Sequence, residues 1–186
     1  MTECKTLLEI IEELSEDAEK VDNSQLEIVE QLITKAKRVF ITGAGRSGFA
    51  ARAFANRLMH LGIDSHFVGE PTTPSIRRGD LLIIGSGSGK TESLVTMAKK
   101  AKKEDAELAT ITINPNNEIG SIADAYIKIP GISSRDTATE KASSIQPNGS
   151  SFEQLSWLIY DSIIVDLIRI TQQTQEEIDF RHANME

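Results

Sequence analysis

Residues 81–93 of this 186-residue chain read LLIIGSGSGKTES, and this stretch decides the fold. Four apolar residues lead into a loop of glycines and serines, after which a helical pattern begins at Ser93. A short apolar run is typical of a buried parallel strand, whose following loop opens at the carboxyl end of the sheet. Glycines let backbone N–H groups converge there, and the start of a helix adds its free N–H groups and positive dipole end. The stretch therefore predicts a strand–loop–helix unit that binds a phosphate group.

The spacing of this loop argues against a nucleotide. A nucleotide P-loop requires glycine, four further residues and then Gly-Lys-Ser/Thr. Counted back from Gly89, the first glycine would have to be at position 84, which is occupied by Ile84. The loop is one residue too short to wrap the phosphates of a nucleotide, so a single phosphate on a small molecule fits it better. An ordinary strand-to-helix turn without a ligand is the other interpretation, but three hydroxyls are more than such a turn requires. The candidate phosphate contacts are Ser86, Gly87, Ser88, Gly89, Lys90 and Thr91.

A second glycine-rich loop follows an earlier strand. Residues 37–42 (KRVFIT) predict that strand, and residues 43–48 (GAGRSG) fit a GxGxxG pattern that opens a helix. This is the context of a dinucleotide-binding fingerprint, with Glu70 as a candidate acid for the ribose. The other interpretation is a small phosphorylated ligand held between two loops. The forked guanidinium of Arg46 and the hydroxyl of Ser47 would then donate hydrogen bonds to it. Arg46 could equally be an ordinary charged residue on the surface of the helix, without a role in ligand binding.

Strands and helices alternate along the chain. Strands are expected near residues 37–42, 65–68, 81–84, 106–113 and 125–129, and helices at 6–21, 25–36, 49–61, 93–104 and 151–171. This alternation predicts one α/β domain over residues 1–186, a Rossmann-like or flavodoxin-like sandwich with a five-stranded parallel sheet and helices on both faces. The N-terminal helices (5–36) and the C-terminal helix with its tail (151–186) are expected to be additions to that core. The polar segment 131–150 has a length typical of functional or disordered loops.

Composition narrows the possible partners and location. The net charge of -8 argues against binding nucleic acid or an anionic membrane. No apolar run approaches the length of a membrane span, and the first residues do not resemble a signal peptide. The single cysteine, Cys4, is typical of the reducing cytoplasm. The three histidines and Cys4 show no ligand spacing, so no metal site is expected.

The long C-terminal helix carries a carboxylate with two possible roles. Ser150 and Glu153 match a capping box, in which Ser150 would be the N-cap and Glu153 the N3 residue, and from the pattern alone this structural role is favoured. The helix is apolar around most of its circumference, which predicts burial against the sheet and against another subunit. Trp157 and Tyr160, one turn apart, are expected to pack in the interior, and His60 and His66 to be structural.

The two glycine-rich loops together resemble those of the sugar isomerase (SIS) domain family. The resemblance runs from the first helix to the last residue and includes residues 72–74 (TTP), 112–115 (TINP), 145–154 (IQPNGSSFEQ) and 181–186 (RHANME). The last two segments point more narrowly to the 6-phospho-3-hexuloisomerase family. Lys90 departs from that family, in which an acid is expected at this position.

The resemblance implies a cofactor-free isomerase of a phosphorylated ketohexose. It would interconvert D-arabino-3-hexulose 6-phosphate and fructose 6-phosphate through a cis-enediolate, as a homotetramer. Glu153 would be the catalytic base, and His182 would act in ring opening or in proton exchange between oxygens. A non-catalytic SIS module that senses a sugar phosphate remains the alternative, because it would need the serine loops but neither Glu153 nor His182.

Overall fold

Five parallel strands form the centre of the structure, a computed structural model that describes residues 3–131 and 144–185. The strands are β1 (Val39–Gly43), β2 (Ser65–Phe67), β3 (Leu81–Gly85), β4 (Glu107–Thr112) and β5 (Ala125–Lys128). They lie in the order β2-β1-β3-β4-β5, and every neighbouring pair is parallel. The chain leaves β1 towards β2 on one side and crosses to the other side for β3. Open α/β sheets bind ligands at such a reversal of strand order, here between β1 and β3.

Helices cover both faces of the sheet, which confirms the predicted three-layer sandwich. The helices are α1 (Lys5–Ala18), α2 (Asn23–Lys35), α3 (Gly45–His60), α4 (Glu92–Lys103), α5 (Ser150–Thr171) and α6 (Gln175–Phe180). One hydrophobic cluster joins α2, α3 and α5 to alternate strand residues such as Leu81 and Ile83. A second cluster joins α4 to the opposite face through Leu82 and Ile84. No helix in the described part of the chain is long and apolar enough to cross a membrane.

Helices α3 and α6 differ most from the sequence prediction. Helix α3 begins at Gly45 rather than at residue 49, so most of the glycine loop is itself the first helical turn. Gly48 permits this, because a Cβ atom there would lie 2.7 Å from the carbonyl oxygen of Gly43 at the end of β1. Helix α6 was not predicted, and it begins with a capping box formed by Thr174 and Glu177. Within the polar segment 131–150, residues 132–143 lie outside the described part of the chain.

A buried ion pair ties together the amino ends of β1 and β3. The carboxylate of Asp80 accepts hydrogen bonds from Arg38 Nη2 at 2.6 Å and Nε at 3.1 Å, and from the backbone N–H of Arg77 at 2.8 Å. The Asp80 side chain is only 2% exposed. Arg38 precedes β1 and Asp80 precedes β3, so this pair aligns the two strands that carry the glycine loops.

We expect Asp80→Ala to lower the free energy of unfolding by about 3 kcal/mol, because it leaves Arg38 without its buried counter-charge. The matched control is Glu70→Ala, which removes the exposed partner of Arg52 at 3.0 Å. An exposed pair of this kind contributes about 0.2–1 kcal/mol. Urea denaturation of both variants measures the difference, and equal losses would contradict the role given to Asp80.

Candidate functional site

Both glycine-rich loops line one cavity of about 150 Å³ at the carboxyl ends of β1 and β3. Gly43 and Gly85 are paired in register, so the two loops leave the sheet side by side. Helices α3 and α4 begin at this cavity, and neither N-cap residue, Ala44 or Thr91, caps its helix with a side-chain hydrogen bond. The cavity is lined by Ala44, Ser47, Gly85, Ser86, Gly87, Ser88, Thr91, Leu94, Ile113, Gly149, Phe152 and Glu153. Two helix N-termini and four hydroxyls thus converge on a space suited to a phosphate.

The serine loop after β3 is held in shape by its own hydroxyls. Ser86 Oγ accepts a hydrogen bond from the N–H of Gly89 at 3.2 Å, and Ser88 Oγ accepts one from the N–H of Lys90 at 3.3 Å. A hydroxyl that accepts in this way still has its own O–H to donate. The loop's serines can therefore shape the backbone and donate to a bound anion at the same time.

Most of the residues predicted from the sequence meet at this cavity. Ser47 reaches it from the first loop, while Ser86, Gly87, Ser88 and Thr91 reach it from the second. Three further residues predicted as substrate contacts, Arg46, Gly89 and Lys90, do not line it.

Each of these three residues has another place beside the cavity. Gly89 forms the turn of the loop with a φ of 60°, and Lys90 is exposed. Arg46 lies on the far side of Glu153, to which it is paired at 3.1 Å.

A supporting residue, Asn117, was missed by the sequence reasoning. Its buried amide nitrogen donates to Thr112 Oγ1 at 2.8 Å, and Thr112 Oγ1 in turn donates to the carbonyl oxygen of Gly87 at 3.1 Å. The side chain of Asn117 also occupies the space that a Cβ at Gly89 would need. The run Asn114-Pro115-Asn116-Asn117 signalled a turn, but its packing against the serine loop depends on the tertiary fold.

Glu153 does not form the capping box that the sequence pattern favours. Gly149 is the N-cap of α5 with a left-handed φ of 93°, so Ser150 is already inside the helix, and no side chain caps this end. The Glu153 carboxylate instead accepts from Arg46 Nε at 3.1 Å, while Arg46 Nη1 lies 3.5 Å from Ser150 Oγ. The pattern was misleading because the helix begins one residue earlier than the box requires, which places Glu153 beyond the N3 position.

The surroundings of Glu153 suit a proton acceptor. Its side chain is 23% exposed, and burial raises the pKa of the carboxyl group, while the Arg46 guanidinium partly lowers it. A raised pKa makes a carboxylate a stronger base, and an ion pair keeps it ionised at neutral pH. The structure therefore places a partly desolvated carboxyl group, paired with a guanidinium, on the wall of the cavity.

His182 lies far from Glu153 within one chain. Its ring stacks on the ring of His60, which is the last residue of α3, with the two centroids 4.7 Å apart. Arg46 lies in the first turn of the same helix, α3, and its partner Glu153 lies beside that turn on α5. Helix α3 has 16 residues, a length of about 24 Å at 1.5 Å per residue. One chain therefore does not bring the two predicted catalytic residues together.

An apolar groove of about 420 Å³ lies beside Glu153. Arg46 and Glu153 also line it, and its exposed apolar side chains are Leu7, Ile11, Phe49, Trp157 and Leu158. Phe49 is 69% exposed and Trp157 is 46% exposed. The described residues of one chain leave that face of α5 exposed, so the packing predicted for Trp157 is not found within the single chain.

The packing expected for Tyr160 and the structural positions expected for His60 and His66 are confirmed. Tyr160 is buried and stacks on Phe54, with ring centroids 4.5 Å apart. His66 lies in β2 with its Nε2 2.9 Å from Asp64 Oδ1, and His60 is buried. Among the described residues, no group of three or more His, Cys, Asp or Glu side chains could hold a metal ion.

The raised pKa of Glu153 gives a test by thermal unfolding. A carboxyl group whose pKa is higher in the folded state contributes stability that is present at low pH and lost as the pH rises through the raised value. Glu153→Gln removes this dependence. We expect the Tm of the wild type to fall relative to that of Glu153→Gln as the pH rises from about 4, near the ordinary pKa of glutamate, and then to level off. A Tm difference that does not change with pH would contradict the raised pKa.

Known proteins share this sequence and fold. The SIS domain pattern matches residues 32–155. A Bacillus subtilis (strain 168) protein named 3-hexulose-6-phosphate isomerase is 43% identical over 178 residues, covering 96% of each chain. A Mycobacterium gastri protein of the same name is 40% identical over 175 residues, covering 94% of this chain and 87% of its own.

A solved structure from Methanococcus jannaschii is also similar. It is 39% identical, with a TM-score of 0.77, and the match covers 88% of this chain and 87% of that chain. Its authors inferred a function of 3-hexulose-6-phosphate isomerase. The chain therefore belongs to the SIS domain family and, within it, to the family of the 3-hexulose-6-phosphate isomerases.

Proposed function

We propose that this chain interconverts D-arabino-3-hexulose 6-phosphate and fructose 6-phosphate, the step that its relatives' names indicate and that belongs to formaldehyde fixation by the ribulose monophosphate pathway. One observation carries the proposal: Glu153 lines the same small cavity as the hydroxyls of the serine loop. A phosphate group held by that loop would place the rest of the sugar within reach of one carboxylate. The reaction requires an anchor for the phosphate and a base for the proton, and both would thereby be supplied in one place.

The phosphate would be bound mainly by neutral groups. Ser47, Ser86, Ser88 and Thr91 would donate hydroxyl hydrogen bonds, and the N-termini of α3 and α4 would add backbone N–H groups. Hydrogen bonds to a charged group contribute about 1.5–3 kcal/mol each. Lys90, exposed at the edge of this loop, would add a positive charge near the phosphate. An overall acidic protein can hold an anion in this way without a basic surface.

The reaction moves one proton between adjacent carbons. Glu153 would take the proton from carbon 2, which the carbonyl at carbon 3 acidifies, and the electron pair would pass to the carbonyl oxygen to give a cis-enediolate. The same carboxyl group would then return a proton to carbon 3, while the hydroxyl proton on oxygen 2 passes to oxygen 3 and leaves the carbonyl at carbon 2. His182 is the candidate group for this exchange between oxygens. The substrate gains and loses no atoms or electrons overall, so the step needs no cofactor. Arg46, paired with Glu153 at 3.1 Å, would favour the ionised form of the carboxyl group from its other side.

A second copy of the chain would complete this site. His182 is too far from Glu153 in its own chain to act with it, and the apolar groove beside Glu153 offers a surface for another subunit. A partner on that groove would cover Phe49 and Trp157 and would remove water from the base. We therefore propose a homo-oligomer, with four subunits as the family resemblance implies. A location in the cytoplasm fits the single cysteine, Cys4.

Glu153→Gln separates an isomerase from a sugar-phosphate sensor. If Glu153 is the base, kcat should fall by about 10²–10⁴-fold with little change in KM, since the phosphate contacts remain. Glu92→Gln is the matched control, because Glu92 lies in the first turn of α4 at the same edge of the sheet but does not line the cavity. Fructose 6-phosphate formation measured by a coupled assay gives kcat and KM. A Glu153→Gln enzyme with wild-type kcat would remove Glu153 from the mechanism.

Mixed oligomers test whether His182 acts across subunits. Glu153→Gln and His182→Ala should each have low activity alone, whereas co-expression should restore some sites that contain both natural residues. Random pairing across two-fold interfaces would give about a quarter of wild-type activity. Light scattering of the wild type at micromolar concentration gives the mass. A monomeric mass, or co-expressed variants no more active than the variants alone, would contradict the shared site.

A further inference from the structure

The C-terminal segment is attached to the end of α3 by one guanidinium group. Arg181 follows α6 directly, and its Nη1 lies within hydrogen-bond distance of three oxygens. These are the carbonyl oxygen of His60 at 3.2 Å, the carbonyl oxygen of Glu177 at 3.1 Å and Oε1 of Gln173 at 2.9 Å. Arg181 thus connects the last residue of α3 to α6 and to the turn before it.

Gln173 completes this attachment from the other side. Its Nε2 donates to the carbonyl oxygen of Leu61 at 2.7 Å, while its Oε1 accepts from Arg181. The carbonyl groups at the end of a helix lack partners within the helix and carry its negative dipole end. Two of these carbonyls receive donors from the C-terminal segment, one of them positively charged. This end of α3 is therefore an electrostatically matched docking point for Arg181.

Gly62 leaves room for the guanidinium. It follows α3 with a φ of 76°, and a Cβ atom built there would lie 3.1 Å from Arg181 Nε. A side chain at this position would be strained by the backbone conformation and would also press on Arg181. The turn after α3 is thus shaped both to end the helix and to admit the arginine.

The docked arginine immediately precedes His182. The His182 ring lies on the ring of His60, with 4.7 Å between centroids and 24° between planes, and His182 itself is exposed. Helix α6 contains no fully buried residue, and it packs on the hydrophobic core through the partly buried Ile178. Terminal segments without such attachments fray. The contacts of Arg181 therefore fix both the backbone that carries His182 and the helix end against which its ring rests.

We propose that Arg181 is a positioning residue that locks the C-terminal segment onto α3, so that the imidazole of His182 is presented to the active site of a neighbouring subunit. This inference rests on the proposed function, in which His182 acts on the sugar. A catalytic group displaced by about 1 Å can cost 10²-fold in rate. A rigid attachment next to His182 would avoid that loss.

A double-mutant cycle tests the inference. Arg181→Gln should lower kcat by about 10–100-fold with KM within twofold of the wild type, because substrate binding by the serine loop is untouched. If Arg181 acts through His182, Arg181→Gln combined with His182→Ala should be no slower than His182→Ala alone. The control is Arg169→Gln on the last turn of α5, which removes an exposed ion pair with Asp166 and should leave kcat unchanged.

Two outcomes of the cycle would overturn the inference: wild-type kcat in Arg181→Gln, or losses that multiply in the double variant. If Arg181→Gln does not fold, Gln173→Leu replaces it, since that change removes the Arg181 acceptor and the donor to Leu61 but retains the charge. The same non-additivity with His182→Ala is expected, and multiplying losses would again refute the role.

An NMR measurement keeps the inference separate from the proposed activity. The stacked ring of His60 should shift the imidazole proton resonances of His182 away from their random-coil values in the wild type. Arg181→Gln should return these resonances to random-coil values, whether or not the chain isomerises hexulose phosphate. Unchanged resonances would show that Arg181 does not position His182. Absence of wild-type isomerase activity would instead count against the proposed function.

Discussion

The site depends on the register of β1 against β3. These strands pair so that Gly43 lies opposite Gly85, and each strand gives way at its glycine to a loop and then to a helix N-terminus. A shift of one residue would turn the side chains of one strand to the other face and separate the two loops. The buried Asp80–Arg38 pair holds the opposite ends of the same strands. The proposed phosphate site is thus a consequence of strand pairing, because the sheet brings together two helix dipole ends that the sequence separates by about forty residues.

Much of the fold was predictable because its signals are local. The apolar run before each glycine loop predicted β1 and β3, and the hydroxyls of the serine loop predicted the cavity that the structure contains. A local pattern failed where the first residue of a helix decides the outcome. Ser150 and Glu153 match a capping box, but the N-cap of α5 is Gly149, so Glu153 lies beyond the N3 position and pairs with Arg46. The same pattern at Thr174 and Glu177 does form a box, because Thr174 is the N-cap of α6. Residue spacing alone did not reveal which residue is the N-cap.

The same limit applies to the two predicted catalytic residues. Glu153 and His182 were linked by a family resemblance, yet they lie at opposite ends of α3 in one chain. In one chain, an exposed apolar groove lies beside Glu153 at one end of α3, and the exposed imidazole of His182 lies at the other end of that helix. Both features have a simple explanation if subunits associate so that one supplies the base and phosphate site and another supplies the imidazole. The helical pattern of α5, apolar on nearly all sides, already required more cover than one chain provides.

The most direct measurement is the conversion of 3-hexulose 6-phosphate by the purified wild-type protein in deuterated water, followed by NMR. A cis-enediolate formed by one base predicts fructose 6-phosphate that carries deuterium at carbon 3 and at no other carbon, since the proton on the base exchanges with solvent before it returns. Binding of the hexulose phosphate without formation of fructose 6-phosphate would identify a sugar-phosphate sensor and would contradict the isomerase. Label at carbon 1 would likewise contradict proton transfer between carbons 2 and 3.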